Sequence, residues 1–308
     1  MLRQLLITLG AAGAWTAAAT AQSMESDAPG WLVKDFGELT DHFEGRWDSD
    51  RQVFFAEAAG MDLSTVAPRQ HLDIKRLDVA EEGQAVFEAE RTVEGEPAAL
   101  LIHSFAIDPE RLAIRQTIAR PGGSLTPLPL NCDILWRRDG AQFRGVAEGQ
   151  GCPDVFPRPL ADGQLQASMT LSADEFWVTS ARGDEISEAR LRRARPFECW
   201  TAILRGASHG DSGEGMRDWD FRRGVKIHDQ GGEVELITDE EEPRTIRLRL
   251  RNVDWPYGTN RPSLTLYVLE GDSDRAVSYA WNEGNAERIG INLRWIQASC
   301  THMPVSAD

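Results

Sequence analysis

From His71 onward apolar and polar side chains exchange places every second residue in a series of short runs. These are His71–Val79, Ala85–Val93, Leu100–Ile107, Ala113–Arg120, Asp133–Arg138, Gln142–Ala147, Gln164–Leu171, Glu175–Ala181 and Phe197–Leu204. A period of two suits a half-buried strand and not a helix. Between the runs stand Glu82-Gly83, Glu94-Gly95, Asp108-Pro109, Pro121-Gly122-Gly123 and Asp162-Gly163, the residue types that turns require. Many short strands that feed one another without long crossovers predict an all-β fold, and a closed antiparallel barrel is favoured over a sandwich. Closure also removes the edges that would otherwise pair with other chains.

Helix is expected only ahead of this region. Trp31, Leu32, Phe36, Leu39 and Phe43 fall near helical spacing, and Asp48-Ser49-Asp50 is a cap for a short helix over Arg51–Ala59. After the barrel, the Gly- and Ser-rich stretch from Gly206 to Gly215 reads as a linker. Further β runs follow: Phe221–His228, Glu233–Ile237, Thr245–Val253, Ser263–Leu269, Val277–Trp281 and Ile289–Trp295. Thr245–Val253 carries Arg247, Arg249 and Arg251 on one face, expected to meet the acidic run from Asp239 to Glu242. The expected division is a segment 1–21, a barrel domain 31–205 and a β-rich domain 216–303.

The first segment has the marks of a signal peptide. Met-Leu-Arg precedes an apolar run from Leu5 to Ala19, and Ala19-Thr20-Ala21 offers a cleavage site. That run is too short to span a membrane comfortably, so the product is expected to be periplasmic or secreted, with no membrane span. The formal net charge of −16 argues against nucleic acid as a partner. All four cysteines, Cys132, Cys152, Cys199 and Cys300, lie beyond the signal segment, which suggests two disulfides. Of three connectivities we favour Cys132 with Cys152 and Cys199 with Cys300.

Cys132 and Cys152 bracket a hairpin signal, two alternating runs around Asp139-Gly140. Alternation puts Cys132, Ile134, Trp136 and Arg138 on one face and Asp133, Leu135 and Arg137 on the other. No nucleotide-binding, metalloprotease or serine-hydrolase motif occurs, and no two of the six histidines have helical metal-ligand spacing. No metal site is expected. The remaining polar residues within strands are His71, Asp73 and Lys75 on one face, Glu88 and Glu90 on another, and Arg115 with Gln116. Burying a charge in a barrel is costly unless it is paired or bound to a ligand. An inward Glu90 and Arg115 would therefore form a polar clamp in an apolar cavity.

Several of these positions fall into a wider pattern. Gly45-Arg46-Trp47 with Gln52, His71, Glu90-Arg91, Ile114-Arg115-Gln116, and the segment Cys132-Asp133, Trp136, Phe143-x-Gly145, Cys152 together resemble the T-type phycobiliprotein lyases, the CpcT/CpeT chromophore lyase family. The resemblance covers roughly residues 36–204. It implies a calycin-like antiparallel barrel, usually dimeric, that binds an open-chain tetrapyrrole (a bilin) and assists its thioether attachment to a cysteine of an acceptor protein. In that picture Glu90 or Asp133 is the catalytic acid, and His71, Glu88, Arg115, Gln116 and Trp136 line the ligand, with Arg115 on a propionate. The alternative is an exported, noncatalytic, lipocalin-like protein that binds a small apolar ligand. A third reading makes the chain a structural or interaction protein that docks through its C-terminal β-segment.

Overall fold

The computed structural model describes residues 28–78, 83–122, 128–156, 158, 161–206, 218–254 and 261–304. The expected signal segment and almost all of the Gly/Ser-rich stretch lie outside the described residues. The first element among the described residues is α1 (Gly30–Phe43), which buries Leu32, Leu39 and Phe43 along one stripe. It then turns at Gly45 into β1 (Gly45–Asp48), and Trp47 Nε1 donates back to the Phe43 carbonyl at 3.1 Å.

Ten antiparallel strands close into a barrel. After β1 come β2 (Gln70–Leu77), β3 (Gln84–Val93), β4 (Ala99–Asp108), β5 (Ala113–Arg120), β6 (Leu128–Asp139), β7 (Gln142–Glu148), β8 (Leu165–Leu171), β9 (Glu175–Arg182) and β10 (Glu185–Arg193). Consecutive strands pair from β1 through to β10, and β1 closes the ring against β10. The expected Asp-Gly hairpin is present: β6 and β7 meet at Asp139↔Gln142, with Gly140 at φ +65°. Between strands lie α2 (Asp50–Ala58), a 3-10 turn (Leu63–Thr65) and α3 (Cys152–Val155).

A second core follows. β11 (Pro196–Leu204), β12 (Trp219–His228), β17 (Arg288–Asn292) and β18 (Ile296–His302) form one four-stranded sheet; β13 (Gln230–Ile237), β14 (Thr245–Val253), β15 (Ser263–Glu270) and β16 (Ser278–Glu283) form another. The apolar faces of both sheets supply one buried cluster, including Phe197, Ile203, Leu248, Leu250, Leu264, Leu266, Trp295 and Ile296. No helix among the described residues is long and apolar enough to cross a membrane.

The structure corrects three expectations. Phe197–Leu204 leaves the barrel and pairs with β12 and β18. The barrel is completed instead by Gly45–Asp48 and Glu185–Arg193, whose charged and small residues hide the alternation. The run Ile289–Trp295 is not one strand throughout: β17 ends at Asn292, Leu293–Trp295 turn, and a further strand, β18, begins at Ile296. Arg247 and Arg249 do meet acids, but these are Glu233 and Asp274 rather than the run at 239–242.

Both favoured disulfides form, Cys132 with Cys152 and Cys199 with Cys300. Two structural disulfides accord with an oxidising, non-cytoplasmic compartment.

Candidate functional site

The two ends of the barrel differ. At one end the inward positions are large and aromatic. Phe43 from α1 meets Phe87 and Phe105 at ring-centroid distances of 5.3 and 4.9 Å, and Trp47 meets Phe176 at 5.8 Å. Edge-to-face rings at such spacing close this end firmly. Arg138 clamps α1 over it, with Nε donating to Asp35 at 2.7 Å and a second ion pair to Glu38. The opposite end is lined by smaller residues, Ala89, Ala167 and Ala189 among them. Here the wall does not fill the interior, and a hollow of about 80 Å3 remains. Val155 and Phe156, at the end of α3, cover it.

Polar groups line the hollow from four strands, Gln70 on β2, Arg91 on β3, His103 on β4 and Gln116 on β5, with Trp136 behind Gln116. Trp136 Nε1 donates to Gln116 Oε1 at 2.7 Å, and Gln116 Nε2 lies 2.7 Å from His103 Nδ1. The indole can only donate, so it fixes the amide oxygen toward itself and the amide nitrogen toward His103. Nδ1 must then accept, which leaves the ring proton on Nε2. His103 is neutral: burial, with Arg91 nearby, pushes its pKa down to about 3. It cannot act as an acid at neutral pH.

Arg91 stands at the neck between the hollow and the barrel mouth, lining both. Its Nη1 donates to the Val155 carbonyl at 3.1 Å, while Nε is buried with no hydrogen-bond partner. Among the described residues it forms no salt bridge, and burial lowers its pKa. None of the residues lining the hollow is an acid. An arginine in this position is incomplete, because burial penalises an unpaired charge and an unused donor.

The covering α3 is tied down by the Cys132–Cys152 disulfide, which joins its first residue to β6. The loop it closes spans 20 residues. Replacing both cysteines by serine is expected to cost ~3 kcal/mol of stability by loop-closure entropy. Urea unfolding under non-reducing conditions measures this, and a loss below ~1 kcal/mol would show that the bond adds little to the cover.

Of the sequence-expected site residues, Gln116 and Trp136 point inward and are brought together by the hydrogen bond above. The others face outward. Ala89, Gln116, Ile118 and Ile134 line the hollow, so Glu88, Glu90, Arg115 and Asp133, one residue out of phase with them, must face the other way. Glu90 and Arg115 therefore form no clamp. Arg115 Nη2 instead donates to Asp108 at 2.6 Å, with Asp133 at 3.9 Å, and its side chain is 41 % exposed. His71 opens on a cleft beside Asp48, Arg69 and His228, outside the barrel. Arg91 and His103 were not among the expected site residues. Their signal was present, since each is a polar residue on the apolar face of a strand, Arg91 after Phe87 and Ala89, and His103 between Leu101 and Phe105.

No family model matches the sequence, and no curated protein does. Among solved structures the chain is similar to the T-type phycobiliprotein lyase CpeT from Prochlorococcus phage P-HM1, with 15 % identity and a TM-score of 0.30, over 51 % of this chain and 96 % of that one.

Proposed function

We propose that the protein is a noncatalytic binding protein whose barrel takes a small ligand with an apolar body and a carboxylate. The single observation that carries this reading is Arg91: a largely buried guanidinium with an unused Nε donor and no carboxylate within ion-pair distance among the described residues, Glu96 acting on it only from farther off. A ligand carboxylate supplies the missing charge and acceptor, and the apolar body replaces water between the aromatic layer and Phe156. The Trp136–Gln116–His103 relay holds the Nε2 proton of His103 as a neutral donor for a second polar atom. We place the boundary between barrel and second unit at Ala194–Arg195, ahead of β11, and the mature protein outside the cytoplasm.

The second reading is a bilin lyase, favoured by the sequence pattern around Gly45-Arg46-Trp47 and Cys132–Cys152. It asks more of the barrel. Drug-sized ligands fill roughly 300–1,000 Å3, against the 80 Å3 present, so a tetrapyrrole enters only if α3 swings out. Glu90 and Asp133, the acids expected to protonate it, stand on the outer face. Binding without catalysis is therefore the reading we adopt.

Isothermal titration of the mature protein with hexanoate tests it. Arg91→Gln is expected to weaken binding by ~1.5–3 kcal/mol, the worth of a charged hydrogen bond. Equal affinity of wild type and variant for hexanoate would remove Arg91 from the site and the proposal with it. Biliverdin presented with a cysteine-bearing acceptor peptide tests the second reading: a thioether adduct on the peptide would favour the lyase over the carrier.

A further inference from the structure

The polar groups of the hollow stand at two depths. Arg91 is at the neck. His103 is at the floor: it pairs with Phe87 across β3 and β4, and the Phe43 ring packs edge-on against it at 5.3 Å. From Phe87 to Arg91 is four residues of β3, about 13 Å of extended strand. The arginine side chain covers part of that distance, and its charge is felt at the His103 ring. A ligand chain of about five carbons spans the remainder.

The hydrogen-bond relay gives the floor a single polarity. Trp136 Nε1 donates to Gln116 Oε1, Gln116 Nε2 donates to His103 Nδ1, and the ring proton is left on Nε2. No described residue accepts that proton. The floor therefore offers a donor. It offers no free acceptor in return, because Gln116 Oε1 is already engaged by the indole. Gln70, the other amide in the lining, stands opposite Val93, at the mouth end of β3. A hydroxyl or an amine brought to the floor would bring a proton with no acceptor waiting for it, which is costly in a buried place. A carbonyl oxygen has no proton to place.

We infer that His103 decides which acid the barrel takes: an oxo carboxylic acid, its carboxylate on Arg91 and its carbonyl oxygen, several carbons away, accepting from His103 Nε2–H. This rests on the reading of Arg91 as the carboxylate site. It adds a second fixed point at the opposite end of the hollow, where a plain fatty acid would bury the N–H without a partner. A site built to hydrogen-bond one group rejects the analogue lacking it more strongly than an apolar pocket rejects a change of shape.

Isothermal titration with three acids of equal heavy-atom count is the test. The mature protein is expected to bind 5-oxohexanoate at least about tenfold more tightly than 5-methylhexanoate, in which a methyl group replaces the carbonyl oxygen. The third acid, 5-aminohexanoate, brings an ammonium against the imidazole N–H and is expected to bind more weakly than either. In NMR the Nε2–H proton of His103 is expected to move downfield with 5-oxohexanoate and to stay in place with 5-methylhexanoate. His103→Asn keeps an acceptor toward Gln116 but withdraws the donor from the floor. This variant is expected to bind the oxo and methyl acids within about threefold of each other. The comparison of acids on the wild type decides the matter even should the variant misfold. Equal binding of the oxo and methyl acids by the wild type, with both weakened by Arg91→Gln, overturns the assignment of His103 and leaves Arg91 in place. Failure of every acid to bind, or binding unchanged in Arg91→Gln, overturns the carboxylate site and this inference with it.

Discussion

Gly231→Ala is expected to destabilise the protein by ~4–6 kcal/mol, whereas Gly224→Ala costs only ~1 kcal/mol. Both glycines adopt positive φ, +67° and +70°, so alanine pays a similar backbone strain at each. They differ in what a methyl group would meet. At Gly224 there is nothing within 4 Å; at Gly231 the Asp50 carboxylate lies 2.1–2.5 Å away. That carboxylate is held by Arg251 from the second core, with Nε to Oδ2 at 2.8 Å and Nη2 to Oδ1 at 3.0 Å. It belongs to a network in which Arg69 donates to the fully buried Asp48 at 3.1 and 3.0 Å and to the Gln230 and Gly231 carbonyls at 3.1 Å. Barrel and second core are thus joined by charges that have given up water for one another. Such pairs add little net stability when intact, yet breaking one strands the other partner, at ~3–5 kcal/mol. Urea unfolding of the two variants side by side measures the difference. Equal losses would mean that the Asp50–Arg251 pair contributes nothing to coupling the halves.

Acidification is expected to be the second large effect. His103 and His228 are both neutral in the fold. Burial, with Arg91 nearby, takes His103 from 6.5 to about 3; burial, with Arg46 and Arg69, takes His228 to about 4. Unfolding frees each to bind a proton below its ordinary value. The unfolded chain therefore binds more protons, and stability falls as pH falls. The contribution is whole above about pH 6.5 and is lost toward the folded values, at ~3 kcal/mol for each histidine by about pH 4. His103→Asn removes one titration while keeping an acceptor toward Gln116. Its stability should fall ~3 kcal/mol less than wild type between about pH 7 and pH 4. A variant that tracks wild type over the whole range would show that His103 is not held neutral.

The parts of the candidate site visible in advance were those carried by an unbroken alternation. Cys132, Ile134 and Trp136 were correctly placed on one face of β6 because Asp133, Leu135 and Arg137 stand between them. The same logic failed at Arg115. A lone Arg-Gln pair in Ile114-Arg115-Gln116 leaves two phases open, and the arginine was given the inward one for its charge. The apolar neighbours Ile114 and Ile118 decide the phase, since turning them outward would expose more apolar surface than an outward arginine costs. Arg91 was hidden by its neighbour Glu90, and His103 by its isolation in an apolar run.

Sequence alone sufficed for the all-β class, the barrel, the hairpin around Gly140 and the expectation of two disulfides, because period two, turn residues and cysteine count are local properties of the chain; which of three pairings forms was decided by the fold. It could not show that Phe197–Leu204 serves the second core, that Gly45–Asp48 and Glu185–Arg193 close the barrel, or that Arg91 forms no salt bridge among the described residues. Those depend on which segments meet across long separations, and a strand's own pattern names its buried face without naming the neighbour that covers it.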